Sequence, residues 1–469
     1  MREILTDNPL GYEKLGKLIA KFAAPSILSN LLNALYNVFD QIFTGHGIGY
    51  DGIAAIGITF PFVTIVAAVS VMLGLGVSAN FNLCLGAGKR AEAETVTING
   101  ISAMVISGVA MTVLFSLFLR PLLFLFGATD DIIGLAVDYT SIVILGIPFQ
   151  VLTVGLTSLI RADGSPNWSL LCMLSGAVIN IILDPLLMFT AGMGIRGVAL
   201  STALGQMFSA VLAILYLARG LKSIRLPRRL VIPKFSYLKR ICALGAAPFS
   251  NQIAMTVVAI VLNSVLRYYG ELSEYGGTVA LGAVGAISRI NIIFVGFVIG
   301  VGQGCQPING FNYGAKNYRR VRDTLKTALL INMSIAIIFF ALFQIFPHQI
   351  IAIFGEGSPE YFRFATRYLR VFMFMTFSNG LQPLAASYFS ATGRAKMGIF
   401  ISFTRQIIFL LPLLLILPVF FGIDGVMIAG PIADSVAAIL AGTFVFREFR
   451  RLNRLIGLQD SSGELRTGH

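Results

Sequence analysis

Charged side chains are scarce in this sequence. Only 12% of its 469 residues are Asp, Glu, Lys or Arg, whereas soluble domains contain about a quarter. Hydrophobic residues make up 56% of the chain, and the mean hydropathy is +0.82. These values exclude a soluble domain, an intrinsically disordered chain and a disulfide-rich scaffold. They predict a protein that lies within a lipid bilayer.

Residues that carry much enzyme and metal chemistry are also few. The four cysteines form no CxxC pair, and the three histidines are too dispersed for a metal site. The stretch GAGKR at 86–90 lacks the Ser or Thr that follows Lys in a phosphate-binding loop. No nucleophile–base pair emerges. We therefore expect no enzyme and no cofactor, and transport would use an ion gradient or be passive.

Positive charge exceeds negative charge, with a net charge of +13 and a pI near 9.7. No basic module with interleaved aromatic residues is present, so nucleic acid is not an expected partner. Most Lys and Arg residues instead fall at the termini and in every second connection between apolar segments. Because cytoplasmic loops collect such residues, both termini are predicted to be cytoplasmic.

Twelve apolar segments are long enough to cross a bilayer as helices, which takes about 20 residues. Their unbroken apolar character disfavours a β-barrel. The predicted spans are 16–45, 53–84, 92–118, 131–157, 168–189, 196–218, 238–268, 279–311, 321–345, 359–387, 397–419 and 425–446.

The two halves of the chain resemble each other at nearly one offset. GIRGV at 194–198 matches GIDGV at 422–426, and AAP at 23–25 matches AAP at 246–248. An even number of spans per repeat predicts two parallel six-helix bundles related by an axis along the membrane normal, as in a rocking carrier. A channel or a structural membrane protein is the alternative. The predicted divisions are a cytoplasmic N-terminus (1–15), an N-lobe (16–218), a linker (219–237), a C-lobe (238–446) and a cytoplasmic tail (447–469).

Acidic residues inside the first bundle are the main functional signal, because ionisable groups at membrane depth are costly. Asp40 in span one and Asp184 in span five lie at similar predicted depths. Asn180 shares a helix face with Asp184, and Thr202 enters span six at a similar depth. These oxygens would bind a hard cation such as Na+, or the two carboxylates would share a proton. A structural hydrogen-bonded cluster is the alternative.

Other polar residues have simpler predicted roles. Arg289, Arg405 and Asp434 lie near mid-depth in the second half, where a structural ion pair is favoured. Pro25 would kink span one, statically or in response to the charge on Asp40. Two further expectations concern the ends of helices. Arg363, Arg367 and Arg370 would extend to lipid headgroups, and Asp163 would lie in a cytoplasmic connection at little cost.

The residues now described resemble a known family. The segments AAP…NALYNVFDQIF, NIILDPLLMF and GIRGVALSTALGQ are similar to multidrug and toxic compound extrusion (MATE) transporters, most of all to the DinF/MepA-like bacterial and archaeal branch. The resemblance implies two lobes in a V and a rocker-switch cycle, in a bacterial or archaeal inner membrane. Carried over to this chain, the cation site would be Asp40, Asn180, Asp184 and Thr202, with Pro25 at the helix bend. Another branch has acids in spans seven and ten, where this chain has Gln252, Asn379 and Gln382.

We therefore expect a secondary active multidrug efflux transporter that exports cationic and lipophilic compounds by antiport with Na+ or H+. Asn33, Tyr36 and Asn37 are candidate cavity residues. Expected partners are organic cations and other small-molecule drugs, together with membrane lipids, and the protein is expected to be a monomer. A lipid-linked glycan flippase and a passive pore are the alternatives.

Overall fold

A computed structural model describes residues 8–47, 50–225, 231–353 and 358–467 of the chain. The side chains of residues 36–42, 44–47, 50, 51, 53 and 462–467 lie outside this description. All regular structure in the described residues is helical, as the long apolar runs predict. Within the described ranges, eleven helices are long and apolar enough to cross a membrane.

The twelve predicted spans correspond to twelve helical units, which we number α1–α12. The first six are α1 (Leu15–Gly47), α2 (Tyr50–Gly86), α3 (Arg90–Leu117), α4 (Ile133–Ala162), α5 (Pro166–Pro185, continued by a π-helical turn at Leu186–Thr190) and α6 (Ile195–Arg219). Helices α7 (Phe235–Glu271), α8 (Gly277–Gly314) and α9 (Tyr318–Ile345) follow. Helix α10 has three pieces (Pro359–Phe372, Phe374–Ser378, Leu381–Ala391), as does α11 (Ala395–Phe403, Thr404–Leu410, Leu411–Phe421), and α12 is Ile423–Thr467. Short helices lie at Pro9–Tyr12, Leu119–Leu125 and Pro347–Ala352.

Several spans differ from the prediction, and the tenth and twelfth differ most. The tenth was predicted as one continuous helix, but a 3₁₀ segment at Phe374–Ser378 interrupts it. Hydroxyls of Thr376 and Ser378 donate to nearby backbone carbonyls there, an alternative to regular helical bonding. The twelfth span was predicted to end at 446, but its helix continues to Thr467. Fully buried Leu452 and the ion pair between Asp460 and Arg319 hold this extension against the protein.

Helix α4 is the centre of the first six helices. It packs against α2, α3, α5 and α6, and it is the most deeply buried of the long apolar helices. A second apolar core lies among α7–α12 and includes Phe294, Phe343 and Tyr368. Each half therefore contains a buried apolar core, and the core of the first half continues across the interface to Val301, Cys305 and Phe311 of α8. Contacts between the halves are made mainly by α1 and α2 on α7 and α8.

The crossing of α2 and α8 shows the internal repeat directly. A Cβ atom on Gly86 would collide with the carbonyl oxygen of Phe311, and one on Gly314 would collide with that of Leu83. The two helices exchange roles in these contacts, and on each helix the glycine follows the contacted residue by three positions. An approximate twofold axis therefore passes through this crossing, and only glycine allows the backbones to come so close.

The turns before α6 and α12 repeat each other as well. Gly194 has φ 54° and ψ −132°, and Gly422 has φ 57° and ψ −140°. These values lie in a region that side chains rarely adopt, so glycine is required at both positions. The match between GIRGV and GIDGV is thus a repeat of backbone shape.

The two halves are joined at the end of the bundle that carries the chain termini. Gly300 of α8 packs on Ile27 of α1, and Gly76 of α2 packs on Ile241 of α7. These contacts lie in the half of each helix nearest that end. The segment before α1 also reaches the second half, because the Leu10 carbonyl accepts hydrogen bonds from Asn312 and Arg320.

Candidate functional site

A buried polar cluster lies between α5 and α6, around Asp184. Asn180 and Asp184 are one helical turn apart on α5, as their spacing predicts. Ser201 and Thr202 face them from the first half of α6. At most 6% of any of the four residues is exposed.

Small residues bring the two helices of this cluster close together. A Cβ atom on Gly205 of α6 would lie 2.7 Å from the carbonyl oxygen of Gly176 on α5. On the other side of the cluster, Pro185 removes a backbone donor and the helix continues as a π-helical turn. Such turns are frequent at functional sites. The local sequence therefore fixes Asp184 where α5 changes its winding.

Hydroxyl and amide groups surround the carboxylate of Asp184. The hydroxyl of Ser201 donates to Asp184 Oδ1. The amide Nδ2 of Asn180 donates to Ser201 Oγ at 3.4 Å and to Thr202 Oγ1 at 3.3 Å. Asn180 Oδ1 is buried and has no hydrogen-bond partner among the described residues. A carboxylate surrounded by neutral oxygen atoms provides the ligands that a hard cation prefers. The carboxylate by itself can also bind a proton.

The arrangement brings together three of the four predicted cation-site residues. Asn180, Asp184 and Thr202 belong to one cluster, while the side chains of Asp40, Tyr36 and Asn37 lie outside the described residues. Asn33 is exposed on α1. In the part of the chain that is described, no three His, Cys, Asp or Glu residues are placed to hold a metal ion.

Ser201 is the residue that the sequence prediction missed. It contacts Asp184 directly, whereas the hydroxyl bonds of Thr202 reach Asn180 and the Val198 carbonyl at 3.1 Å. The signal was present, because Ser201 and Thr202 are adjacent hydroxyl residues in GIRGVALST. Sequence depth alone does not tell which of two neighbours on a helix points at a carboxylate.

Pro25 lies inside α1, which continues through it. Ser26 donates to the Phe22 carbonyl and Ser29 donates to the Pro25 carbonyl, both at 2.8 Å. Bonds of this kind often bend helices. The guanidinium of buried Arg161 reaches Ser26 Oγ at 3.4 Å and so ties the inner end of α4 to this part of α1.

The second half contains the ion pair that the sequence favoured. Arg405 Nε donates to Asp434 Oδ1 at 2.5 Å, and Asn379 Nδ2 donates to Asp434 Oδ2 at 2.7 Å. Asp434 is 2% exposed, and Arg289 is exposed on α8. Helices α10, α11 and α12 therefore meet at one neutralised carboxylate.

Of two expectations about charged residues at helix ends, that for Arg363, Arg367 and Arg370 stays a prediction, and that for Asp163 was wrong. Arg363 and Arg367 pair with Glu274 and Asp424, so they have protein partners as well as any lipid contact. Asp163 was expected to lie at little cost in a connection, but it is only 3% exposed. Its carboxylate accepts hydrogen bonds from Tyr216 and from the backbone of Lys222 and Ser223. Burial raises the pKa of Asp163, and these hydrogen bonds oppose that rise.

Comparison with known proteins gives matches along nearly the whole chain. The family model MatE matches residues 25–186 and 249–416, one segment in each half. Two relatives named Multidrug export protein MepA are each 27% identical to this chain. That of Staphylococcus haemolyticus aligns over 93% of this chain and 94% of its own length. The relative from Staphylococcus aureus strain RF122 aligns over 92% of this chain and 93% of its own length.

Solved structures agree on the fold. One, described as the outward-facing conformation of a multidrug resistance MATE family transporter, has a TM-score of 0.87 at 22% identity over 96% of this chain and 98% of its own. A second solved structure also has a TM-score of 0.87 at 22% identity, over 95% of this chain and 98% of its own. It is a MOP superfamily transporter from Pyrococcus furiosus whose binding pocket is described as having reverse polarity. The predicted fold, an all-helical membrane protein of two six-helix bundles, is confirmed.

Proposed function

Because this chain belongs to the MatE family of multidrug and toxic compound extrusion (MATE) transporters, we propose that it is a secondary active multidrug efflux transporter. It exports diverse cationic and lipophilic compounds by antiport with Na+ or H+. The name of its relatives, Multidrug export protein MepA, supports the class of cargo. Organic cations and membrane lipids are its partners, and it acts as a monomer in a bacterial or archaeal inner membrane.

The observation that carries the proposal is the burial of Asp184, which is 0% exposed between α5 and α6, just before the π-helical turn that continues α5. A carboxylate at membrane depth carries a large free-energy cost, and such groups usually belong to ion pathways or proton relays. Its surroundings of hydroxyl and amide oxygens suit a bound Na+ or a proton. We place the coupling site at Asn180, Asp184 and Thr202, with Asp40 as the second acid.

Coupling then follows from competition. A cation that binds the acids favours one arrangement of the lobes, and the exported compound favours the other, so each ligand lowers the affinity for its competitor. The two halves are closed at the end that carries the termini. With cytoplasmic termini, as the positive-inside rule predicts, the closed end faces the cytoplasm. In the rocker-switch cycle, inward flow of the ion resets the lobes for the next cargo.

The decisive experiment is transport in proteoliposomes with Na+ and pH gradients imposed separately. Asp184→Asn should abolish gradient-driven, concentrative efflux of a fluorescent organic cation such as ethidium. The matched control is Asp138→Asn, which changes an acid of the same half in an exposed ion pair with Arg196. Efflux that persists in Asp184→Asn refutes the site. Transport that equilibrates the dye without concentrating it refutes the antiporter in favour of a passive pore.

A further inference from the structure

We propose that Ser201 binds the coupling cation together with Asp184 and sets the cation concentration at which transport is half-maximal. This inference rests on the proposed antiport. The family resemblance assigns the hydroxyl ligand to Thr202, but the geometry points to its neighbour. Ser201 Oγ contacts Asp184 Oδ1, and Ser201 is itself fully buried.

The hydroxyl of Ser201 has one proton and two acceptors within reach. One is Asp184 Oδ1, and the other is the Val198 carbonyl oxygen at 2.8 Å. When Asp184 is charged and without a cation, its charge attracts that proton. When Na+ or a proton binds to Asp184, the hydroxyl rotates its proton to the Val198 carbonyl and turns a lone pair toward the bound Na+ or toward the proton on the carboxyl. No buried donor loses its partner in either state, so the switch avoids the cost of an unsatisfied group.

Thr202 is less suited to this role. Its hydroxyl lies 3.1 Å from the same Val198 carbonyl and accepts from Asn180 Nδ2 at 3.3 Å. It thereby helps to hold the Asn180 side chain, whose Oδ1 is buried without a hydrogen-bond partner among the described residues. A buried oxygen left in this way is an independent indication of a bound hydrogen-bond donor or cation. Asn180 Oδ1, Asp184 and Ser201 Oγ then supply the oxygens, and Thr202 positions Asn180.

The test uses Ser201→Ala, with Ser201→Thr as the variant that keeps a hydroxyl. Ser209→Ala is the matched control, because Ser209 is also buried on α6 but donates to the Cys172 carbonyl at 2.7 Å. Purified proteins in proteoliposomes are titrated with NaCl at fixed pH and, separately, with protons in the absence of Na+. Size-exclusion chromatography checks that each variant is folded.

Ser201→Ala should shift the half-maximal concentration of the coupling cation by about tenfold, since interactions of a hydroxyl with a charged group contribute about 1.5–3 kcal/mol. The shift is upward for Na+, because the bound ion loses an oxygen ligand, and downward for H+, because the charged carboxylate loses a hydrogen-bond donor. Ser201→Thr should restore most of the affinity, and Ser209→Ala should leave it unchanged. A merely structural hydroxyl would lower the maximal rate without moving the half-maximal concentration, and that result overturns the inference.

The inference and the proposed function fail in different ways. If Asp184→Asn retains coupled transport, the proposed coupling site itself is wrong. If Asp184→Asn abolishes coupling and Ser201→Ala titrates like the wild type, only the role of Ser201 is refuted.

Discussion

The close crossing of α2 and α8 predicts that one methyl group will change the conformational equilibrium of the protein. In Gly86→Ala, the new Cβ atom would lie under 3.0 Å from the Phe311 carbonyl, a distance that real Cβ atoms essentially never show. Gly314→Ala would produce the symmetric collision with Leu83. The obstacle is backbone on both sides, so rotation of a side chain cannot relieve it.

The clash acts between the halves of the protein rather than inside one of them. Overpacking by a methyl group costs about 1–3 kcal/mol. Separation of the halves removes that cost, so the closed arrangement should lose roughly 5- to 150-fold in population relative to the open one. Each half keeps most of its own buried apolar residues when the halves separate, so both should stay folded.

Spin-label distances between the two halves measure this shift. Exposed Lys222 and Lys396 lie at the end that carries the termini. The backbone of Lys222 binds Asp163 of the first half, and Lys396 lies at the start of α11 in the second half. With cysteines at these sites in a background without the four native ones, Gly86→Ala should move the distance distribution to longer values. Gly57→Ala on α2 and Gly282→Ala on α8 are matched controls, since nothing lies within 4 Å of their Cβ positions. Unchanged short distances in both clash variants would show that α2 and α8 do not form the closing contact.

Two further changes test charged groups that the fold buries. Asp434→Ala leaves Arg405 without its partner and should lower the free energy of unfolding by about 3–5 kcal/mol, measured by denaturation in detergent. The Asp434→Ala/Arg405→Ala double variant should lose less than the sum of the single losses, and strict additivity would contradict a coupled pair. Burial raises the pKa of Asp163 above its ordinary value of 3.8, so its contribution to stability is present at low pH and is lost as the pH rises through the raised pKa. The melting temperature of the wild type should fall over that range relative to Asp163→Asn, and parallel curves would contradict this.

Long apolar helices and the repeat were predictable because each depends on a pattern that the sequence displays directly. Membrane thickness sets the length of a span, and charge marks its ends. The match of GIRGV with GIDGV became a match of backbone angles at Gly194 and Gly422 because only glycine adopts them readily.

Details that depend on packing were not predictable. Whether Ser201 or Thr202 faces Asp184 is decided by the rotation of α6 against α5, which the close approach at Gly176 and Gly205 fixes. The burial of Asp163 likewise depends on residues 222 and 223, which bring their backbone donors to it. Hydropathy records how apolar a segment is, and it does not record which partner a polar group finds.

The repeat also explains how the closed end is held. The segment before α1 binds the α8–α9 hairpin, where Arg320 donates to the Leu10 carbonyl at 2.9 Å. The start of α7 binds the α2–α3 hairpin, where Arg240 pairs with Glu92 at 2.5 Å. Arg320 and Glu92 occupy equivalent places in the two hairpins, so the charge on the hairpin is reversed between them. The two contacts cross from each half to the other.

Separation of the halves must therefore break both contacts. The pair of Arg240 and Glu92 is largely exposed, and such pairs contribute only about 0–1 kcal/mol. Arg320 is half-buried and donates to backbone carbonyls, as does buried Asn312. Hydrogen bonds from a charged donor are stronger than neutral ones. The N-terminal contact thus holds the closed end more firmly than its counterpart, although the fold that presents the two is nearly symmetric.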